Sequence, residues 1–270
     1  MSPPGRPKGE PQAREREGSP TRATLDVVRL AKSFGGVDAV RGVSFRVFPG
    51  ELLAMIGPNG AGKTTCFNML NGQLTPDAGS VRLEGREIVG LAPRAVWRLG
   101  VGRTFQITAT FASMTVRENV QVALLSHHRR LAGWWRPAAG LHRDAADHLL
   151  RRVDMLGQAE RACSVLAYGD LKRVELAIAL ANDPRLLLMD EPTAGMAPRE
   201  RIALMALAAE IVRERGIAVL FTEHDMDVVF AHADRLIVLD RGELIAEGEP
   251  AEVRADAGVQ QVYLGSRGRD

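Results

Sequence analysis

Residues Gly57-Pro58-Asn59-Gly60-Ala61-Gly62-Lys63-Thr64 satisfy the pattern G-x-x-x-x-G-K-[ST] at every specified position. The pattern constrains the fold because it works only between a buried strand and a helix. Both flanks comply. Leu52 to Ile56 is a short continuous apolar run, as a parallel strand covered on both faces requires, and Thr64 to Asn71 carries no breaker before Gly72. Glycines let the backbone wrap closely round a polyphosphate, so that main-chain NH groups and a helix N-terminus face the anion. In such a loop the lysine, Lys63, reaches the β and γ phosphates and the hydroxyl of Thr64 ligates magnesium; Thr65 adds to the nucleotide-binding set.

The chain of 270 residues is long enough to bury a sizeable core. Its formal net charge of +2 comes from nearly balanced acids and bases, which gives no case for nucleic acid as a partner. Cys66 and Cys163 lie far apart and match neither a metal spacing nor a disulfide framework; Cys66 reads as a small buried thiol in the helix after the loop. No apolar stretch reaches the length that spans a bilayer, and the N-terminus lacks the apolar core of a signal peptide, so a cytoplasmic protein is expected. Residues 1–21 are rich in Pro, Gly, Arg and Glu and almost without apolar side chains, the composition of a disordered tail.

Leu25 to Leu30 and Val43 to Phe48, around Gly35-Gly36, predict antiparallel strands with Phe34 between them. A hairpin over Gly79 to Gly85, a helix over Ala92 to Leu99 and a strand from Val101 ending at Gln106 follow. Helical spacing then runs from Thr115 to Leu125 and from His142 to Leu156, with a loop between them that carries His127-His128 and Trp134-Trp135. The histidines, in an Arg-rich stretch without carboxylates, read as solvated; the tryptophans read either as a partner surface or as packing of the loop.

A helix from Leu171 to Asn182 leads to the buried strand Arg185 to Met189, which ends in Asp190-Glu191. Paired with a phosphate loop, that strand has the form of a Walker B segment, with Asp190 placed for the magnesium shell and Glu191 to polarise a water for in-line attack. Pro198 to Arg215 forms a helix, Ile217 to Phe221 a strand ahead of Thr222-Glu223-His224-Asp225, and Arg235 to Asp240 with Glu243 to Glu247 a closing hairpin. Alternating strands and helices predict an α/β fold with a parallel sheet covered on both faces.

With these segments in order, the sequence resembles the ATPase subunits of ABC transporters from about residue 24 to 265. The resemblance implies a P-loop α/β fold with a mostly parallel core sheet, an antiparallel β subdomain and a helical subdomain at about 107–170, within a single ATPase domain at 22–265 and a short tail at 266–270. It implies ATP and Mg2+ as ligands. Phe34 matches the aromatic that stacks on adenine, Gln106 the glutamine that senses magnesium and the γ phosphate, and His224 the switch histidine on the γ phosphate. The implied partners are integral-membrane permease subunits, a second ATPase subunit and, indirectly, an extracytoplasmic solute-binding protein; the implied location is peripheral, on the cytoplasmic face of the inner membrane. The helical stretch from Thr115 to Leu156, following Gln106, is the expected permease contact.

Two segments depart from the family pattern. Leu-Ser-Gly-Gly-Gln is here Leu166-Ala167-Tyr168-Gly169-Asp170, which keeps the leucine and Gly169 but loses the serine hydroxyl. The loop closes over the opposite subunit's nucleotide mainly with backbone NH groups and a helix N-terminus, so Ala167 and Gly169 stay in the binding set. The loop Ala194-Gly195-Met196-Ala197 ends in alanine where aspartate is usual. These departures, with Val262-Tyr263-Leu264-Gly265, are similar to branched-chain amino-acid importer ATPases. Urea and amide importers and the lipopolysaccharide export ATPase remain alternatives within the family, and a soluble ABC ATPase acting on nucleic acid is the alternative from another class. A heterodimer of two ATPases is favoured over a homodimer.

Overall fold

The structure is a computed structural model that describes residues 22–104, 110–128 and 142–266. Its centre is a six-stranded sheet in the order β10-β9-β3-β8-β7-β6. The strands are β3 (Leu52–Ile56), β6 (Val101–Thr104), β7 (Leu186–Asp190), β8 (Ala218–Thr222), β9 (Arg235–Asp240) and β10 (Glu243–Gly248). All neighbours pair in parallel except β9 with β10.

Alternation along these strands sends side chains into two separate cores. Leu52, Ala54 and Ile56 of β3, with Met189 and Phe221, meet a helical layer. That layer is α3 (Val116–His128), α4 (Arg143–Arg152), α5 (Tyr168–Leu180), α6 (Pro198–Arg215) and α7 (Met226–His232), and it contributes Val120, Leu150, Val174 and Met205. Leu53 and Met55 point the other way, onto Phe67 and Leu70 of α1 (Lys63–Leu70) and onto an antiparallel sheet. Each such buried Leu, Met or Phe contributes about 1.5–3 kcal/mol relative to exposure.

The second sheet has the order β2-β1-β4-β5, from β1 (Leu25–Phe34), β2 (Val37–Val47), β4 (Ala78–Leu83) and β5 (Arg86–Glu87), antiparallel throughout. The short α2 (Pro93–Arg98) precedes β6, and α8 (Pro250–Ala255) and α9 (Ala257–Ser266) follow β10. The expected architecture of mostly parallel core, antiparallel sheet and helical layer is present.

Several element ends differ from the sequence expectation: β1 runs on to Phe34 and β2 begins at Val37, so Phe34 ends a strand at the hairpin turn. Helix α3 runs on to His128, and His127 packs edge-on against Trp97 at 5.5 Å between ring centroids, half-buried rather than solvated. Helix α4 stops at Arg152, where Val153 caps it and Asp154 turns left-handed; the chain continues into a 3-10 turn at Leu156–Gln158. Helix α5 begins at Tyr168 rather than Leu171, because the Leu171 NH already bonds the Ala167 carbonyl at 3.1 Å. Trp134, Trp135 and Gln106 lie outside the described residues. Both cysteines are buried, and burial pushes the Cys66 thiol up to about 12. Among the described residues no helix is long and apolar enough to cross a membrane.

Candidate nucleotide site

Parallel register brings three strand ends together. Ala54 pairs with Phe221, Phe221 with Met189, and Thr222 with Asp190, so the loops after β3, β7 and β8 leave the same edge of the sheet. In open α/β sheets ligands bind beyond the carboxyl ends of the strands.

The loop from Gly57 to Gly62 is shaped by close backbone approaches. A Cβ at Gly57 would collide with the Leu239 carbonyl, and one at Gly62 with the carbonyl of Ala39. Gly62 also has φ +103° as the residue capping α1. No side chain caps that helix and its first turn holds no acid, which leaves its NH groups and dipole to an anion. The Lys63 ammonium lies back across the loop and donates to the carbonyls of Gly57 at 2.7 Å and Pro58 at 3.1 Å. Burial holds its pKa below the ordinary lysine range, opposed by the carboxylates of Glu191 and Asp190. Pro58 is half-buried, Asn59, Gly60 and Thr64 are exposed, Thr65 is half-buried and Ala61 is buried.

Asp190 is buried at the tip of β7. Its Oδ1 accepts from the Thr222 hydroxyl at 2.7 Å, and its Oδ2 lies 3.3 Å from the guanidinium of Arg103, which also reaches Asn68 and Gln73, each at 3.0 Å. Burial lowers the Arg103 pKa, against the pull of Asp190. Glu191 follows with φ +48°, a left-handed conformation uncommon for a residue with a side chain. Its NH bonds both the carbonyl and the hydroxyl of Thr222, each at 3.1 Å, and these bonds sustain a conformation that costs about 1–3 kcal/mol. That turn aims the Glu191 carboxylate at His224, whose Nε2 is 2.9 Å from Oε1. Lysine, two carboxylates and imidazole thus share one rim. The Asp190 carboxylate and the Thr64 hydroxyl offer only oxygen, the donor type that suits Mg2+, which is bound through few protein oxygens and otherwise by phosphate and water.

Phe34 is 48% exposed at the tip of the β1–β2 hairpin. Across the turn, Ala39 of β2 approaches Gly62, so the ring sits on a hairpin whose other strand touches the phosphate loop. Lys32 lies 5.6 Å from the ring centroid and is held by Asp77 at 2.6 Å. Ala167 caps α5 without a side-chain hydrogen bond, and Asp170 in the first turn accepts from Gln158 at 2.9 Å. The ring of Tyr168 lies over Gly195, and Gly169 faces the Glu200 carboxylate so closely that a Cβ would come within 3.3 Å of it. Arg103, Thr222 and Glu223 carry no local sequence signal of their own; only their position beside Gln106 and His224 could have marked them.

A family model described as ABC transporter matches residues 40–194, and one described as branched-chain amino acid ATP-binding cassette transporter matches residues 243–268. The chain is 41% identical over 252 residues to the high-affinity branched-chain amino acid transport ATP-binding protein BraF of Pseudomonas aeruginosa, covering 91% of this chain and 99% of that one. It is 38% identical over 250 residues to the corresponding protein LivG of Escherichia coli, covering 89% and 97%. A solved ATP-binding cassette of an ABC transporter in its ADP conformation matches with a TM-score of 0.81 at 32% identity, covering 90% of this chain and 99% of the other. The chain therefore belongs to the ATP-binding subunits of ABC transporters.

Proposed function

We propose that this subunit hydrolyses ATP to ADP and phosphate and thereby drives import of branched-chain amino acids through membrane permease partners. The Glu191–His224 contact at 2.9 Å, beside a lysine that feels both Glu191 and Asp190, is the observation that carries hydrolysis. In this reading Gly57 to Thr65 hold the phosphates, with Lys63 as the cation. Thr64 and Asp190, joined by Gln106, would hold Mg2+, which supplies charge neutralisation between the β and γ phosphates. Glu191 orients and polarises the attacking water, and His224 contacts the γ phosphate and holds Glu191 in line. Phe34 stacks on adenine.

Hydrolysis belongs to a pair of ATPase subunits, each closing the other's nucleotide with its signature loop, which in this chain is Ala167, Tyr168 and Gly169. A heterodimer is favoured, because a partner with an intact signature would leave one site complete. The substrate assignment rests on the names of the relatives and on the match at 243–268. The permease is assigned to the helical stretch at 115–156, and an extracytoplasmic binding protein would deliver the solute. The subunit then sits peripherally on the cytoplasmic face of the inner membrane.

Glu191→Gln tests the hydrolytic assignment. It keeps the size and hydrogen-bonding capacity of the side chain but removes its charge, so ATP affinity should persist while turnover falls by roughly 10²- to 10⁴-fold, the range of general-base effects. Hydrolysis by Glu191→Gln at the unmutated rate would remove Glu191 from that role.

A further inference from the structure

Consecutive residues from the end of β8 hold the tip of β7, the loop after it and the start of α6. Thr222 bonds Asp190 and the Glu191 NH. Glu223 Oε1 accepts from the Thr193 NH at 2.8 Å and from its hydroxyl at 2.7 Å, with both residues buried. His224 meets Glu191. Asp225 completes the row through Arg201, whose Nη1 is 2.7 Å from Oδ2 while its Nε donates to the Met196 carbonyl at 2.7 Å. Arg201 stands in the first turns of α6, so one guanidinium joins that helix, the loop at Met196 and the residue after His224.

The two oxygens of Asp225 have different tasks. Oδ1 caps α7, accepting from the NH groups of Asp227 at 3.0 Å and Val228 at 3.4 Å, whereas Oδ2 is given to Arg201. The His224 side chain is 52% exposed and meets Glu191 through Nε2. Its aim is set by the backbone on either side, fixed at Glu223 by Thr193 and at Asp225 by Arg201. Without Arg201 the cap would survive and Val228 and Val229 would still anchor α7 in the core, but the backbone at Asp225, next to His224, would lose its tie to the loop at Met196.

We propose that Arg201 and Asp225 are a positioning pair that holds His224 in register with Glu191 for ATP hydrolysis. The inference rests on the roles given above to Glu191 and His224. Displacing a reacting group by about 1 Å costs on the order of 100-fold in rate, so loss of the pair should appear in kcat far more than in KM.

The test is steady-state hydrolysis of MgATP by the purified transporter, assembled from this chain and its partner subunits. Asp225→Ser retains a capping oxygen for α7 but does not reach Arg201, and Arg201→Ala removes the same contact from the other side. Each should lower kcat by roughly 10- to 100-fold with KM for ATP within about twofold, and the double variant should be no slower than either single one. In a His224→Ala background neither substitution should lower kcat further, because the pair acts through that ring. If His224→Ala itself leaves kcat unchanged, the reading of the site fails and this inference goes with it. If His224→Ala is slow but Asp225→Ser and Arg201→Ala stay within about twofold of the parent, the pair does not position and the site reading stands. A further drop on adding Arg201→Ala to His224→Ala would also overturn the proposal. Should one variant lose its fold, as judged by thermal unfolding, the other reads the same contact.

Discussion

The phosphate loop at 57–64 and the closing loop at 166–170 both end in helices whose uncapped NH groups suit an anion, yet one keeps every residue of its pattern and the other keeps two. The difference lies in what enforces each position. At Gly57 and Gly62 a side chain would collide with carbonyls of this chain itself, those of Leu239 and Ala39. Those glycines are required by the fold before any ligand arrives. Ala167 and Tyr168 are exposed, and nothing in their own subunit rejects them. At Gly169 a Cβ would come within 3.3 Å of the Glu200 carboxylate, the flexible end of an exposed side chain, so that glycine is not enforced in the way that Gly57 and Gly62 are. In this chain the phosphate loop keeps glycine where its own backbone excludes a side chain, and the loop at 167–168 varies where its own subunit leaves room.

Gly62→Ala probes the enforced side of that contrast and should have the largest effect. It places a side chain at a positive φ, which costs about 1–2 kcal/mol, and forces it against the Ala39 carbonyl, which adds about 1–3 kcal/mol. Thermal unfolding should move down accordingly, and ATP affinity, measured by fluorescence titration with a nucleotide analogue, should fall with it. A variant of unchanged stability would mean that the loop yields, and the contrast with 167–168 would collapse.

Much of this was legible because it is local. The phosphate loop is a contiguous pattern, and residues 52–56 and 186–189 are uninterrupted apolar runs whose burial on both faces follows from their composition. Helix α6 was bounded correctly at both ends, by Pro198 at its start and by Gly216 as the left-handed cap after Arg215. What stayed hidden depends on register between distant segments. Arg103 meets Asp190 across 87 positions, Thr193 meets Glu223 across 30, and Arg201 meets Asp225 across 24. None has a sequence period or a breaker to announce it. The start of α5 was misplaced for a related reason: Tyr168-Gly169-Asp170 reads as a turn, whereas the backbone there is already helical. The roles of individual residues in catalysis remain proposals, carried by geometry for Lys63, Glu191 and His224 and by resemblance for Phe34 and Ala167.

Ala167→Ser sharpens the other side of the contrast. A serine at the cap of α5 should raise the thermal midpoint slightly, since such caps are typically worth about 1 kcal/mol. If the hydroxyl also reaches a γ phosphate on the opposite subunit, it adds a bond to a charged group worth about 1.5–3 kcal/mol, or roughly 10- to 100-fold in affinity. In a heterodimer that gain should appear on ATP held by the partner's phosphate loop alone. In a homodimer both sites should tighten alike. Titration of the assembled pair, with one subunit's loop disabled at a time, separates these outcomes. A rise in midpoint without any gain in ATP affinity would show that position 167 is a helix cap and nothing more.

The smallest effect is expected at Phe34, which belongs to neither class: it is exposed, like Tyr168, yet rides on the hairpin that packs against Gly62. Stacking of a base on an aromatic ring is worth about 1–3 kcal/mol, and a ring at a hairpin tip with water on its far side should lie at the lower end. Phe34→Ala should therefore weaken nucleotide binding by roughly fivefold, the equivalent of about 1 kcal/mol. Because the contact is to the base, ATP and ADP should lose affinity equally, whereas Gly62→Ala acts on the phosphates and should penalise ATP more. Phe34→Trp should restore binding, since it keeps a flat face at the same point of the hairpin. Fold stability should hardly move, because Phe34 buries little and its neighbour Lys32 is secured independently by Asp77. Equal ATP and ADP losses with recovery by tryptophan would assign the hairpin tip to the adenine. A loss confined to ATP would instead place Phe34 with the phosphate loop, as a residue felt through Ala39 and Gly62.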